Sequence, residues 1–256
     1  MNQTFKIILV KVGFGCVLLA LWQAVASARF MPAHLFPGPG DVLKSLMDIA
    51  RDGTLWTSIR LSMGRMLVGY SISLLGGVAV GVLAARSWLF KETVGSLIMA
   101  LQSIPSICWL PFALIWIGID QRAVLAVVIL GALFSIAIAT ESAIRNIPPI
   151  YQKVGRVLGA RGFVFSRDIL FFAALPELIG GLKIGWTFAW RSLMAAELLR
   201  ADQMGVARII ETGRSYNEIA MMMAGMIVIL AVGLTVDLVV FGTLERRIRR
   251  RWGLEK

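Results

Sequence analysis

The sequence predicts an all-α, polytopic membrane protein with six transmembrane helices, and three observations lead there. Apolar residues fill 58% of the 256 positions and charged ones only 16%, too little polar surface to cover a soluble core of this size. Several apolar stretches approach or exceed the ~20 residues that span the hydrocarbon layer. Those stretches are continuous and do not alternate with period two, which speaks against a β-barrel.

Spans are expected near residues 7–27, 61–85, 93–118, 123–144, 177–199 and 219–243. The first resembles a signal peptide in length, but it lacks a convincing small-residue cleavage site before Arg29-Phe30 and reads as a retained span. An even number of spans puts both termini on one side. Lys and Arg number 15 in the segments on that side (1–11, 86–92, 145–176 and 244–256) and 8 on the other (28–60, 118–122 and 200–217). Positive-inside bias therefore predicts cytoplasmic termini and a cytoplasmic 145–176 loop. The tail run Glu245-Arg246-Arg247-Ile248-Arg249-Arg250-Arg251 contributes most, and it also suits lipid headgroups. The net charge of +11 is thus an orientation signal, and no nucleic-acid partner is expected. Cys16 and Cys108 both fall inside apolar spans and His34 is the only histidine, so neither a disulfide framework nor a metal site is expected.

Within the second span, Gly69, Ser73, Gly77, Gly81 and Ala85 form a small-residue ladder at spacing four, which predicts close helix packing. The third span holds Pro105 and Pro111 and should kink or break. Glu141 in the fourth span and Asp237 in the sixth are read as pairing with nearby basic residues. The fifth span divides into two faces. Trp186, Glu197, Trp190, Lys183, Thr187 and Arg191 fall within an arc of about 140°. The opposite side carries Gly181, Gly185, Ala189, Ser192, Ala195 and Ala196, a packing face. At a lipid-exposed helix centre Arg191 would cost roughly 2.5–3.5 kcal/mol, so it either lines a polar path or pairs with a neighbouring span.

The sequence has no G-x-x-x-x-G-K-[ST] loop, no G-x-S-x-G nucleophile and no H-E-x-x-H pair. A membrane-embedded enzyme is therefore disfavoured, and energy from ATP would have to come through another chain. A nucleotide-independent secondary carrier or channel is the rival reading; it predicts repeated halves or a buried ion site. No internal repeat is visible.

Five segments, in order, resemble the binding-protein-dependent ABC importer permeases, most closely their nitrate, sulfonate and taurine branch. They are Leu35-Phe36-Pro37-Gly38-Pro39-Gly40-Asp41-Val42-Leu43; Pro105 through Gly118; the segment Gly159 to Pro176 with the Glu177–Gly185 stretch that follows it; Trp190 with Ala195-Ala196-Glu197; and Asp237 with the basic stretch Arg246–Trp252. Two departures stand out. Where the family has E-A-A, this chain reads Lys153-Val154-Gly155, and Phe171-Phe172 replaces the first Leu-Pro, with only Leu175-Pro176 kept.

The resemblance implies a type I importer permease fold, with an N-terminal helix and external segment (1–57), a permease core (58–243) and a basic tail (244–256). The 145–176 loop, helical around 152–170, would dock a cytoplasmic ATPase dimer through Lys153, Gly155, Gly159, Ala160, Arg161 and Ile169. The candidate substrate path comprises Trp109, Lys183, Thr187, Trp190, Arg191 and Glu197, and the cations favour a small anion. Further partners implied are a second permease copy, an external solute-binding protein and membrane lipid. No cofactor is expected on this chain; ATP and Mg would belong to the ATPase.

Overall fold

The structure, a computed structural model, describes residues 3–28, 30, 32, 34–157, 159, 162–200 and 203–251. It falls into two compact units, residues 1–60 with 200–230 and residues 61–199 with 231–256. Neither is a continuous stretch, because helices distant in sequence pack side by side.

The first unit begins with α1, Gln3–Ser27, whose apolar part Leu9–Ser27 has no buried residues. The Trp22 indole N–H donates to the Pro37 carbonyl at 3.1 Å. That bond ties α1 to the chain entering α2, Pro39–Arg51, which starts with proline in its first turn and buries Val42 and Ile49. Further along the unit, Asn217 at φ 55° makes the turn between the helix Val206–Ser215 and the next, which starts at Ile219. A Cβ on Gly213 would come within 2.8 Å of the Met222 backbone nitrogen, so that turn requires glycine.

α3, Thr54–Arg86, begins in this unit and continues into the second. There follow α4, Trp88–Gln102, with a π-helical turn at Lys91–Gly95, and α5, Ser106–Ile117, bent from α4 by 99°. The expected break falls at Pro105. Pro111 lies instead in the first turn of Leu110–Ile117, where a missing N–H costs nothing. α6, Gln121–Arg145, is the core of the unit: Val124, Val127, Val128, Ala132 and Ile136 on it are fully buried. α7 is Pro149–Val157 and α8 is Phe171–Leu199; a short helical turn at Gly162–Phe165 and a π-helical turn at Ser166–Leu170 lead into α8. α9 is Val206–Ser215, α10 is Ile219–Thr235, and a π-helical turn at Val236–Phe241 joins α10 to α11, Gly242–Arg251.

Among the described residues four helices are long and apolar enough to cross a membrane, or five if the bent pair α4–α5 counts as one broken span. The predicted span 177–199 lies inside α8, which at 29 residues is about 43 Å long. Glu177, Lys183, Arg191 and Glu197 make it less apolar than the others, and most of that polarity is satisfied by other helices.

The glycine ladder on α3 packs against α6 as expected. A Cβ on Gly77 would lie 2.8 Å from the Ile136 Cβ, and one on Gly81 would lie 2.5 Å from the Ala137 carbonyl oxygen. Ser73 Oγ donates within its own helix to the Gly69 carbonyl at 2.8 Å and lies 3.1 Å from the Ile129 carbonyl of α6. On an adjoining flank of α6, Gly181 and Gly185 of α8 sit against Ala139 and Ile136. Backbones thus approach closely on both sides, the way helices associate in lipid without a hydrophobic drive.

The helical character expected around 152–170 comes in separate short pieces. α7 ends at Val157, and Gly159 and Gly162 have φ of 75° and 57°. An α-helix cannot continue through left-handed residues, so the loop is two helical pieces around a glycine turn.

Candidate functional site

The arc of α8 expected to form one polar face is not one surface; neighbouring helices consume most of it. Glu197 is fully buried, and its two carboxylate oxygens each lie 2.8 Å from Ser62 Oγ, which donates to them. Arg65 Nη1 donates to the same carboxylate at 2.8 Å, so α3 and α8 are joined by a buried ion pair. Lys183 Nζ lies 3.0 Å from Asp237 Oδ2. Thr187 Oγ1 donates back to the Lys183 carbonyl at 3.1 Å. Trp186 and Trp190 are both 7% exposed. Trp186 stands edge-on to Tyr70, with ring centroids 5.2 Å apart, and Trp190 packs against Gly233. The other acid singled out in the sequence, Glu141, pairs with Arg145 at 3.0 Å and Lys91 at 3.5 Å.

Arg191 is different. It is exposed, and among the described residues no carboxylate lies within ion-pairing distance of it. It lines a cavity of about 380 Å³ together with Gln102, Pro105, Ser106, Trp109 and Ser192. The break at Pro105 opens this cavity by turning α5 away from α4, and the Ser106 and Ser192 hydroxyls meet at 2.6 Å on its wall. Gln102 Nε2 donates to Ser135 Oγ at 3.1 Å, which holds the end of α4 against α6.

Of the six candidate path residues, then, the structure brings Trp109 and Arg191 together and places Lys183, Thr187, Trp190 and Glu197 in helix packing. Arg65 was missed by the sequence reading. The available signal was a lone arginine inside an apolar span, which demands a partner. Ser106 and Ser192 carried no such signal.

At the loop, Gly155 and Ile169 are brought together. A Cβ at Gly155 would fall 2.5 Å from Ile169 Cδ1 and 2.6 Å from Phe165 Cε2, so glycine here lets α7 lie flat on the following turn. Lys153 is exposed, and beside it Ile150, Val154 and Val157 form an exposed apolar stripe at spacing four and three. Gly159 is the exposed turn residue. Ala160 and Arg161 lie outside the described residues.

Residues 77–250, more than half of the chain, match the family described as the binding-protein-dependent transport system inner membrane component. This chain belongs to that family. It is a multi-pass membrane protein and the permease component of an importer, and the rival carrier or channel reading falls away. Among curated relatives, the taurine transport system permease protein TauC of Escherichia coli is 26% identical over 93% of this chain and 87% of its own length. The nitrate import permease protein NrtB of Leptolyngbya laminosa is 30% identical over 72% of this chain and 67% of its own. Among solved structures, an inward-facing MetNI methionine ABC transporter chain superimposes with a TM-score of 0.65 at 21% identity, covering 78% of this chain and 98% of that one. That likeness confirms the fold.

Proposed function

We propose that this permease carries a small anion such as an aliphatic sulfonate, taurine or nitrate, and that Arg191 lines its path. The single observation that carries the reading is a span cation without a carboxylate partner. Arg65 and Lys183 each have an acid within 3.0 Å, whereas Arg191 faces a cavity. In a partly desolvated site a guanidinium attracts an anion more strongly than in water and offers it several donors. The taurine and nitrate permeases among its relatives are named for substrates with anionic groups.

In this reading the chain works as a pair of permease copies with an external solute-binding protein and a cytoplasmic ATPase dimer that binds ATP and Mg. The exposed stripe Ile150, Val154 and Val157 supports α7 as the docking helix, because apolar side chains outside the membrane favour a partner groove. Lys153 beside it favours an acidic residue on that groove's rim. Closure of the ATPase dimer would then move α7 as a lever and reorient the spans.

Arg191→Gln keeps donors and approximate size while removing the charge. Reconstituted with its ATPase, the variant should retain basal hydrolysis and lose roughly tenfold in uptake of the anion, as expected for one charge-assisted contact. Uptake at the unmodified rate, or failure of the variant to assemble, would make Arg191 a structural residue.

A further inference from the structure

The chain's end carries a second cationic site, independent of the substrate reading. Before α11, Leu238, Val239 and Val240 are 54%, 62% and 53% exposed, as suits a hydrocarbon-facing surface. Leu244, exposed at 42%, follows Val240 by four residues, and Arg247 follows Leu244 by three, so the apolar stripe runs directly into a guanidinium. The change from hydrocarbon-facing to cationic occupies about 4.5 Å of helix axis. Leu244, Arg247, Ile248 and Arg250 line a cavity of about 500 Å³ with an apolar floor and two cations. The nearby Glu245 lies 3.6 Å from Arg249, and Arg247 has no carboxylate partner among the described residues.

We propose that this cavity is a headgroup site for an anionic phospholipid. Its phosphodiester would be held by Arg247 and Arg250, with the first acyl methylenes against Leu244. Guanidinium forks match phosphate oxygens bidentately, and a buried apolar side chain below them excludes water from that contact. Continuity with the lipid-facing stripe favours a membrane ligand over an acidic protein groove. A protein partner would need the charges displayed clear of that stripe, and here they begin within one helical turn of Leu244.

Native mass spectrometry of the full chain, purified with its ATPase partner and mixed with phosphatidylglycerol or phosphatidylcholine, tests the site. The unmodified protein should retain phosphatidylglycerol preferentially. The pair Arg247→Gln with Arg250→Gln should lower that retention roughly tenfold, with phosphatidylcholine retention unchanged. The pair Arg247→Lys with Arg250→Lys keeps the charge without the planar fork and should fall between the unmodified protein and the glutamine pair; if the glutamine pair does not assemble, unmodified retention in the lysine pair overturns the proposal. Equal retention of the two lipids, or no change in the glutamine pair, overturns the proposal. Displacement of the lipid by millimolar inorganic phosphate assigns the cavity to a free anion and overturns it too. So does loss of the ATPase subunit from the glutamine pair at unchanged lipid retention, which assigns the arginines to that protein.

Discussion

Glu197 shows how far a residue's neighbours decide its meaning. From the sequence it belonged to a polar arc with Arg191; in the structure it is fully buried between Ser62 and Arg65. Glu197→Ala would leave the Arg65 guanidinium buried without its carboxylate. The expected cost is about 3 kcal/mol or more, read as a lower unfolding midpoint in detergent. Replacing both members, Arg65→Met with Glu197→Leu, should recover much of that loss, since a buried pair exchanged for apolar side chains is often neutral. A double variant as unstable as the sum of the two single ones would show that the pair is not the unit that matters.

Among the helices, the packing faces were legible and the polar ones were not. The ladder Gly69, Ser73, Gly77 and Gly81 announces itself because small residues at spacing four have few other uses in a membrane span. Gly81→Ala should destabilise the α3–α6 pair by about 1–3 kcal/mol, since its Cβ would lie 2.5 Å from the Ala137 carbonyl oxygen and 2.6 Å from the Thr140 Cβ. Gly64→Ala on the same helix meets nothing within 4 Å and should be neutral or stabilising through helix propensity. Thermal unfolding of the two variants side by side checks the contrast. If they behave alike, close packing at Gly81 is not what holds the helices together.

For the whole molecule, the orientation expected from charge counting makes a prediction of its own. With Cys16 and Cys108 replaced by serine, Lys153→Cys should react with an impermeant maleimide only from the cytoplasmic side. Lys44→Cys should react only from the outside; both lysines are exposed. Labelling of Lys153→Cys from outside would invert the topology and remove α7 as a docking helix. The docking surface proposed for the loop is equally a whole-molecule property. The stripe Ile150, Val154 and Val157 gains its meaning only because Gly155 holds the other side of α7 down on Phe165 and Ile169.

Composition, span positions, the break at Pro105, the packing ladders and the family motifs are local in the chain, so sequence by itself determined the class of fold and the permease identity. Each depends on the chemistry of neighbouring residues in one helix or on counts over short segments. Which cation stands without a carboxylate does not. Arg65, Lys183 and Arg191 are alike as basic residues within apolar spans, and they differ in what other helices place beside them. Ser62 and Glu197 are separated by 135 positions yet 2.8 Å apart, and no periodicity reports such a contact. Tertiary structure alone therefore decided that Lys183 and Glu197 belong to packing and that Arg191 and Trp109 share a cavity. The physical reason is that burying a charge without a partner is too costly, and partners are assigned by packing in three dimensions.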